Sequence, residues 1–406
     1  MVAPAAQAMP EQGLRVLQVT ATSVGGAWFH DQATALASRG HTVRVVLPDP
    51  GPLADRLRAA GISTDIVPFR GRRLNQLPRV TAAELRLARL FRAFRPDVIH
   101  AHLLKAVVSC RLAAAGCPAA LRVSQMPGTA HLHSPLLRWI DQATLVRDDL
   151  TIGSCQAIAE RYRAMGARSV AVSYYGCDVG RIDPLTSGAG FRREFGLTDR
   201  TPTVGMVAHM YPTRLRAFRE VGVKGHEVFL AAVPLVLRQV PAAHFFVVGD
   251  ELVGTGEYRQ TLEAMASALG AGPRVHFTGH RSDIAGVLAG LDVVACPSIE
   301  ESASYAMVEA LLMCKGVVAS NVGGLPDTVL PGRTGLLVPP ADPAALAAAV
   351  TELLSDPARR QQLGSRGRDH CLRTFDISAT AAGVEALYRT GLSRKRAGRK
   401  QAEQAA

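Results

Sequence analysis

Two glutamates in the C-terminal half, Glu301 and Glu309, are separated by seven residues within the segment 296–329. The pattern predicts that Ser304 caps a helix beginning at Tyr305, so that Glu301 precedes the helix and Glu309 lies inside it. A helix N-terminus offers free N–H groups and positive potential that suit a diphosphate, and ionised carboxylates accept hydrogen bonds from sugar hydroxyls. The spacing also fits two ordinary charges on a solvated surface, so it leaves both interpretations open.

Positive charge is concentrated in a second segment, residues 209–230. Lys224 directly precedes a predicted helix that starts near His226, and it is one of only five lysines in the chain. Lysine supplies a compact charge and arginine a planar fork, and both suit phosphate oxygens. Arg214 is the candidate partner of Lys224, with nearby competitors at Arg216 and Arg219. A solvated basic loop is the alternative interpretation.

The N-terminal half contributes a glycine turn and a histidine pair. Gly25 and Gly26 lie between the first predicted strand and the first predicted helix, where a phosphate or a sugar could approach backbone N–H groups. Alone, this is a weak signal. His131 and His133 follow a later strand, and a neutral histidine there can donate to a sugar hydroxyl or polarise an acceptor.

Together these residues resemble a known family. Pro297-Ser298, Glu301, Glu309-Ala310 and Val322-Gly323-Gly324-Leu325-Pro326 stand in an order and spacing similar to the family-4 retaining glycosyltransferases, and the resemblance spans about residues 14–390. It implies an α/β protein with the GT-B fold, in which two Rossmann-like domains face each other across a cleft. It also implies transfer of a sugar, a hexose or an N-acetylhexosamine, from a nucleotide diphosphate donor to a hydroxyl acceptor. The pathway would be cell-envelope saccharide or secondary-metabolite biosynthesis.

The resemblance also assigns roles to residues. Glu301 would contact the donor sugar, Glu309 the nucleotide ribose, and Lys224 with Arg214 the pyrophosphate. The turn at Gly25 and Gly26 becomes the donor-facing loop, and further donor contacts fall on Ser302, Ala303, Ser304 and Tyr305. His131 aligns with the cleft histidine of the family, whereas His133 is either a second acceptor contact or a surface residue. His100 and His102 are expected to organise the domain interior.

One departure from the family concerns the loop after the first glutamate. Ser302-Ala303-Ser304 stands where the family often has Gly-aromatic-Gly, and the missing glycines remove the closest backbone approach to a ligand. The loop then presents serine hydroxyls, or the sugar subsite is altered. No metal and no cofactor beyond the nucleotide diphosphate sugar, a uridine diphosphate hexose as the first guess, are expected if Lys224 and Arg214 stabilise the phosphates.

Short β-rich runs alternate with helical segments along the chain, which predicts parallel α/β architecture. The pattern lapses near residue 183 and restarts near 203, which predicts two domains and a connection between them. The expected divisions are a flexible N-terminus 1–13, an acceptor domain 14–182, a linker 183–200, a nucleotide-sugar domain 201–374, a helix 375–392 crossing back to the first domain, and a basic flexible tail 393–406.

Composition limits the remaining possibilities. The chain of 406 residues has 46 basic and 34 acidic residues, and this excess suits nucleic acid, anionic membranes or phosphorylated small molecules. Aromatic residues make up 5%, and no nucleic-acid-binding module is recognised, so nucleic acid is not expected as a partner. Without an apolar membrane-length run or a secretory signal, the expected location is the cytoplasm, with a peripheral membrane contact through the basic tail left open.

Seven cysteines without a C-x-x-C pair predict reduced, buried thiols and no structural metal site. The oligomeric state is not predicted. The alternative functions are a nucleotide-sugar epimerase of the same fold and a noncatalytic nucleotide-sugar-binding or nucleic-acid-binding protein.

Overall fold

The computed structural model describes residues 13–68, 77–114, 117–210, 221–251, 255–302 and 304–404, with the backbone alone for 77–81 and 402. Four residues singled out above lie outside the described residues: Arg214, Arg216, Arg219 and Ala303.

The first domain is built on a seven-stranded parallel sheet with the strand order β3-β2-β1-β4-β5-β6-β7. Its strands are β1 Arg15–Thr20, β2 Thr42–Leu47, β3 Ser63–Ile66, β4 Val98–His102, β5 Leu121–Met126, β6 Leu150–Gly153 and β7 Val170–Val172. Its helices are α1 Ala27–Ser38, α2 Pro52–Ala59, α3 Leu77–Phe94, α4 Leu104–Ala113, α5 Pro135–Leu145 and α6 Gln156–Ala164. Buried apolar clusters cover both faces of the sheet, which explains why its strands read as nearly continuous hydrophobic runs.

The second domain has a six-stranded parallel sheet with the order β10-β9-β8-β11-β12-β13. Its strands are β8 Thr203–Val207, β9 His244–Val248, β10 Val275–Gly279, β11 Val293–Cys296, β12 Gly316–Ser320 and β13 Leu336–Val338. Its helices are α7 Ala189–Glu194, α8 His226–Leu237, α9 Glu257–Ala268, α10 Ile284–Gly290, α11 Tyr305–Leu312, α12 Leu325–Thr328, α13 Pro343–Ser355 and α14 Pro357–Thr374. The two sheets confirm the predicted pair of Rossmann-like domains.

Residues 183–200, expected as a linker, contain a helix and pack against the second domain. This helix is α7, whose Phe191 is buried against Phe246 at a ring-centroid distance of 4.9 Å. The Arg192 guanidinium donates to Thr198 and Thr201 carbonyls, each at 2.8 Å. The chain therefore enters the second domain before the first strand of its sheet.

The chain returns to the first domain beside the point where it left. Cys177 N donates to Phe375 O at 2.8 Å, and Ile377 N donates to Cys177 O at 2.9 Å. The last helix, α15 Ile377–Gln404, then packs along α1, and the Tyr388 hydroxyl lies 2.6 Å from His100 Nδ1. The predicted crossing of the C-terminal helix is confirmed.

The basic tail expected from residue 393 is not a flexible segment in the structure, because α15 continues to Gln404. Lys395 Nζ donates to Asp149 Oδ2 at 2.5 Å and to Ala120 O at 2.7 Å, which fixes the helix at the amino-terminal ends of β5 and β6. Among the helices of the described residues, none combines the length and the hydrophobicity that a membrane crossing requires.

Candidate active site

A cavity of about 1240 Å³ lies between the two domains. Its walls are the segments that follow the carboxyl ends of strands in both sheets, including Ala21 after β1, Leu103 after β4 and Ile299 after β11. Strand order reverses between β1 and β4 in one sheet and between β8 and β11 in the other. Open parallel sheets bind ligands in the crevice formed at such switch points.

Lys224 and Glu301 meet on the wall that the second domain contributes to the cavity. Lys224 Nζ donates to Glu301 Oε2, and the side chains are 19% and 8% exposed, respectively. Ser298 Oγ donates to the same carboxylate oxygen at 3.4 Å, and Ser302 N donates to Oε1 at 3.3 Å. A partly dehydrated ion pair of this kind interacts more strongly than one in water, because the surrounding dielectric is lower.

Gly225 allows Lys224 to reach this position. Its φ is +74°, and a Cβ atom would lie 2.0 Å from Pro297 O, so no other residue fits without moving the backbone. Ile299 N donates to Val223 O at 2.9 Å, which joins the lysine segment to the segment carrying Glu301. The Lys-Gly pair is therefore a structural requirement for bringing the two charges together.

The glycines of the Val-Gly-Gly-Leu-Pro motif hold the Glu301 loop from the other side. A Cβ atom at Gly323, whose φ is +54°, would lie 1.6 Å from Glu301 O, and one at Gly324 would lie 1.8 Å from Ser302 O. Gly324 N donates to Glu301 O at 3.1 Å. The motif thus acts by close backbone packing behind the loop.

Helix α11 begins as predicted. Ser304 is its N-cap and accepts from Met307 N at 3.4 Å. The Tyr305 hydroxyl donates to Gly176 O at 2.7 Å, so it is used in the contact between the domains. Cys177 follows Gly176 in the chain and lies close enough to Glu309 for the carboxylate charge to act on its thiol.

Glu309 lies on the second turn of α11, away from the cavity lining. Burial raises the pKa of its carboxyl to about 6, although the charge of Arg181 acts in the opposite direction. Its side chain forms no hydrogen bond with the residues that the structure describes. A half-buried carboxylate without a donor is suited to accept hydrogen bonds from a ligand.

His131 lines the cavity from the first domain and is held by a buried carboxylate. His131 Nε2 lies 2.9 Å from Asp141 Oδ2, and the Tyr162 hydroxyl donates to the same oxygen at 2.5 Å. Arg111 donates to Asp141 Oδ1 at 2.7 Å. Burial opposes ionisation of Asp141, yet the hydrogen bond with His131 and the charge of Arg111 hold its pKa below the usual value.

An ionised Asp141 accepts a hydrogen bond from Nε2–H, which leaves Nδ1 of a neutral His131 as an acceptor. Within the described residues, Nδ1 has no hydrogen-bond partner. The structure therefore favours a His131 that accepts from a ligand hydroxyl over one that donates to it. Sequence reasoning missed Asp141, although an acidic residue between Ile140 and Leu145 on a helix with an apolar inner face was a usable signal.

His133 reaches across the cleft. Its Nε2 lies 3.3 Å from Glu300 Oε2, and Thr129 Oγ1 donates to Glu300 Oε1 at 3.5 Å. Glu300 therefore meets two residues of the opposite domain. This contact was not predictable, because Glu300 differs from Glu301 only by its place in the loop.

Two further groups of residues were missed by sequence reasoning. His209 and His280, at the carboxyl ends of β8 and β10, have exposed rings that are parallel within 3° with centroids 6.5 Å apart. Lys105 and Arg161 line the first-domain wall of the cavity and form no ion pair with any described residue. Neither pair is contiguous in sequence, so only the fold reveals them.

The structure thus gathers part of the predicted site in one cavity: Lys224, Glu301, Ser302, His131 and His133. Ser304, Tyr305 and Glu309 are on the adjoining helix and do not line the cavity. Gly25 and Gly26 form the turn before α1, with φ values of +68° and +69°, also outside the cavity lining. His100 and His102 are fully buried, and burial lowers the pKa of His100 to about 3, in agreement with the expected interior role.

Comparison with known proteins decides the family. The family model described as glycosyl transferases group 1 matches residues 211–356, and the model described as glycosyl transferase 4-like domain matches residues 25–176. The chain belongs to the group 1 glycosyltransferases. It is a nucleotide-sugar-dependent glycosyltransferase, and the epimerase and binding-protein alternatives are not favoured.

Relatives of this group 1 glycosyltransferase include a D-inositol 3-phosphate glycosyltransferase of Segniliparus rotundus, 28% identical over 389 residues, which cover 90% of this chain and 84% of that protein. A GDP-mannose-dependent alpha-(1-6)-phosphatidylinositol monomannoside mannosyltransferase of Mycolicibacterium smegmatis is 31% identical over 240 residues, or 57% of this chain and 56% of that protein.

Solved structures confirm the GT-B fold of the group 1 glycosyltransferase. Anabaena HepE in complex with UDP matches with a TM-score of 0.80 and 22% identity, over 93% of this chain and 100% of that chain. A glycosyltransferase from Rickettsia africae matches with a TM-score of 0.79 and 19% identity, over 94% and 99% of the two chains.

Proposed function

We propose that this enzyme transfers a hexose or N-acetylhexosamine from a uridine diphosphate donor to a hydroxyl of a phosphorylated polyol, with retention of configuration. The observation that carries the proposal is the Lys224–Glu301 pair, which faces His131 across the interdomain cavity. A positive group and a carboxylate on one wall suit the diphosphate and sugar hydroxyls of the donor. An acceptor histidine on the other wall suits a nucleophilic hydroxyl.

In the proposed reaction, the bond between the anomeric carbon and the diphosphate oxygen breaks while a bond to the acceptor oxygen forms on the same face. The acceptor proton passes to the departing phosphate oxygen. The task of Lys224 is electrostatic, since its charge stabilises the negative charge that grows on the leaving phosphate. Arg214 is proposed as its partner in this role. No metal is required by this scheme, and no cofactor is proposed beyond the donor itself.

Glu309 is proposed to hold the ribose and Glu301 the donor sugar. The rings of His209 and His280 are parallel with centroids 6.5 Å apart, and we propose that the base lies between them. Burial and the nearby charge of Lys224 lower the pKa of His209, so this lysine lies near the proposed base site. The UDP bound in the HepE structure supports uridine as the base.

The acceptor is inferred from charge. Lys105 and Arg161 are exposed on the cavity wall without an acidic partner among the described residues, so they are available to an anion. The Segniliparus relative is named for D-inositol 3-phosphate, which combines ring hydroxyls with one phosphate. His131 is proposed to orient the acceptor by accepting a hydrogen bond from a neighbouring ring hydroxyl, while the proton of the attacking hydroxyl passes to the departing phosphate. The proposed location is the cytoplasm of a bacterium, in peripheral contact with the membrane.

A two-step experiment tests the proposal. A thermal-shift screen of UDP-, GDP- and ADP-sugars identifies the donor as the compound that raises Tm most. Transfer to inositol phosphate is then followed by mass spectrometry, and the anomeric configuration of the product by NMR. Full activity in EDTA is expected. Product with inverted configuration, or no discrimination between inositol phosphate and inositol, would contradict the proposal, and conversion of donor alone would indicate an epimerase.

A further inference from the structure

Exposed apolar side chains are concentrated on one layer of the first domain. Of the ten large hydrophobic residues that are exposed in the described part of the chain, six are on α3, α4 and α5, counting Val146 at the end of α5. We call the outer surface of these three helices the α3–α5 face, and its exposed members are Leu85, Leu112, Leu136, Leu137, Trp139 and Val146.

Helix α5 presents a continuous stripe. Leu136, Trp139, Ala143 and Val146 follow the spacing that places residues on one side of a helix, and Leu136, Trp139 and Val146 are 64%, 67% and 57% exposed. The opposite side of α5 holds the buried Asp141 and Leu145. Helix α5 is therefore packed on its inner side only within the described residues, and its exposed side is apolar.

The charges around this stripe are positive. The exposed charged residues of the face are Arg86, Arg89, Arg92, Lys105, Arg138 and Arg147. Glu84 is its one partly exposed acidic residue within the described side chains, and burial raises the pKa of that carboxyl. Apolar side chains surrounded by arginine are typical of surfaces that lie in the interface of an anionic membrane.

We propose that the α3–α5 face binds the surface of an anionic lipid bilayer, with Trp139 and Leu136 inserted among the headgroups. A second copy of this chain is a poorer occupant, because a two-fold interface would place the same arginines against each other. A tryptophan suits the membrane interface, where one side of its ring is apolar and its N–H is solvated.

The face is continuous with the active site. Leu137 of α5 and Lys105 of α4 both line the interdomain cavity. A headgroup held at the α3–α5 face therefore lies beside the acceptor side of the cleft. The basic end of α15 is at the amino-terminal ends of β5 and β6, away from the cleft, which separates this proposal from one based on the C-terminal residues.

Vesicle co-sedimentation of the full chain tests the proposal without any knowledge of donor or acceptor, so its outcome is independent of the proposed function. Wild type is compared on phosphatidylcholine vesicles and on vesicles with about one third phosphatidylglycerol. Binding to the anionic vesicles alone is expected. Leu136→Ser with Trp139→Ser is expected to weaken it about 20-fold, as half-burial of two large apolar side chains implies. Arg89→Gln with Arg138→Gln is expected to weaken it about 30-fold.

Two matched controls keep the result specific. Leu185→Ser removes a leucine of the second domain that is still more exposed, at 88%, and Arg396→Gln with Arg399→Gln removes two charges from α15. Both are expected to bind like wild type, and far-UV CD with Tm confirms that every variant folds. Equal binding to both vesicle types, or loss of binding only in the α15 variant, would overturn the proposal.

A spectroscopic readout identifies the inserted residue. The chain has two tryptophans, Trp28 and Trp139, so Trp28→Phe leaves Trp139 as the sole reporter. Its emission is expected to shift to the blue on anionic vesicles and to become protected from an aqueous quencher. An unchanged spectrum overturns insertion. A dimer in lipid-free solution that Trp139→Ser dissociates would assign the face to a second copy and would equally overturn the proposal.

Discussion

Asp141 Oδ2 lies 2.9 Å from His131 Nε2, and this contact directs the free ring nitrogen of His131 away from the protein interior. The same carboxylate is bound by Arg111 and Tyr162, so its position is fixed by three elements of the first domain. The relationship gives His131 a defined tautomer before any acceptor binds.

The Asp141→Asn variant tests this relationship. The amide can present its N–H to Nε2 and favour the other tautomer, in which Nδ1 no longer accepts a hydrogen bond. We therefore expect kcat to fall about 100-fold, as is typical when a reactant is misplaced. His131→Ala should reduce kcat similarly, and the double variant should be little worse than either, because the residues act as a unit. Additive losses in this cycle would indicate separate roles.

Removal of the buried Asp141 charge also affects folding, since Arg111 loses one of its two carboxylates. Tyr162→Phe is the matched control, because it deletes a hydrogen bond to Asp141 and leaves both charges. A small decrease in Tm with kcat close to wild type is expected for this variant. A fall in kcat as large as that of Asp141→Asn would show that packing, and not the tautomer, controls His131.

Lys224→Ala should lower kcat about 1000-fold, since one charge aimed at a developing oxyanion contributes on this scale. Tm and far-UV CD should stay near wild type, because Glu301 keeps its donors from Ser298 and Ser302. Lys400→Ala, at the exposed end of α15, is the matched lysine control, and its kcat and Tm should equal those of wild type. Turnover in Lys224→Ala within a factor of a few of wild type would remove this lysine from the phosphate site.

Glu309 predicts a pH dependence of donor binding. Burial raises its pKa to about 6, and the ionised form is the better acceptor for ribose hydroxyls. The dissociation constant for UDP should therefore fall as pH rises from 5 to 7, since about one unit on either side of the pKa covers the titration. Glu309→Gln should weaken UDP binding and flatten this profile, as measured by calorimetry. An unchanged slope would place the ribose elsewhere.

The same raised pKa has a stability consequence of defined sign. Between the usual glutamate pKa and about 6 the native state binds more protons than the unfolded state, so the free energy of unfolding falls as pH rises through this window. The loss amounts to about 2 kcal/mol and should be absent in Glu309→Gln. Urea unfolding of both proteins at several pH values measures it, and parallel curves would contradict the burial-driven shift.

Gly323→Ala should disturb the Glu301 loop, because its Cβ would lie 1.6 Å from Glu301 O. We expect a loss of stability of about 3 kcal/mol together with most activity. Gly332→Ala is the control, since Gly332 has a similar φ of +68° with nothing near its Cβ position. The free energy of unfolding of that variant should fall by only about 1 kcal/mol, the cost of a left-handed φ for alanine, and its turnover should equal that of wild type.

Lys105→Gln and Arg161→Gln should each raise KM for a phosphorylated acceptor about tenfold while kcat stays constant, as expected when one charge-assisted hydrogen bond is lost from binding. The unphosphorylated polyol serves as an internal control, because its KM should not respond. An equal rise of KM for both acceptors would mean that these residues shape the cavity and do not bind a phosphate.

The sheets and most helices were predictable from sequence because buried parallel strands leave long apolar runs, such as TVRVVL in β2. The polar and glycine residues around the short α7 favour a linker, although Phe191 in this helix and Phe195 after it pack into the second domain. The like charges at the end of α15 favour a flexible tail, although alanine, lysine and arginine are strong helix formers.

The residues of the candidate site also include some that were predictable from the sequence and some that were not. Lys224 and Glu301 stand in recognisable local motifs, so their meeting was predictable once the family was recognised. Lys105 and Arg161 reach the cavity, and Asp141 reaches His131 behind it, from separate helices of the first domain. Only the docking of those helices on one sheet brings these residues to the site. No local pattern encodes such distances.

The return of the chain through Phe375 has a practical consequence for dissecting the protein. Residues 14–182 do not form a complete folding unit, because Tyr388 of α15 fills the space beside His100 and is itself fully buried. A truncation that omits α15 would expose that histidine and the apolar surface of α1 to water. The first domain can be isolated intact only as a discontinuous unit, for example by a circular permutation that joins α15 to β1.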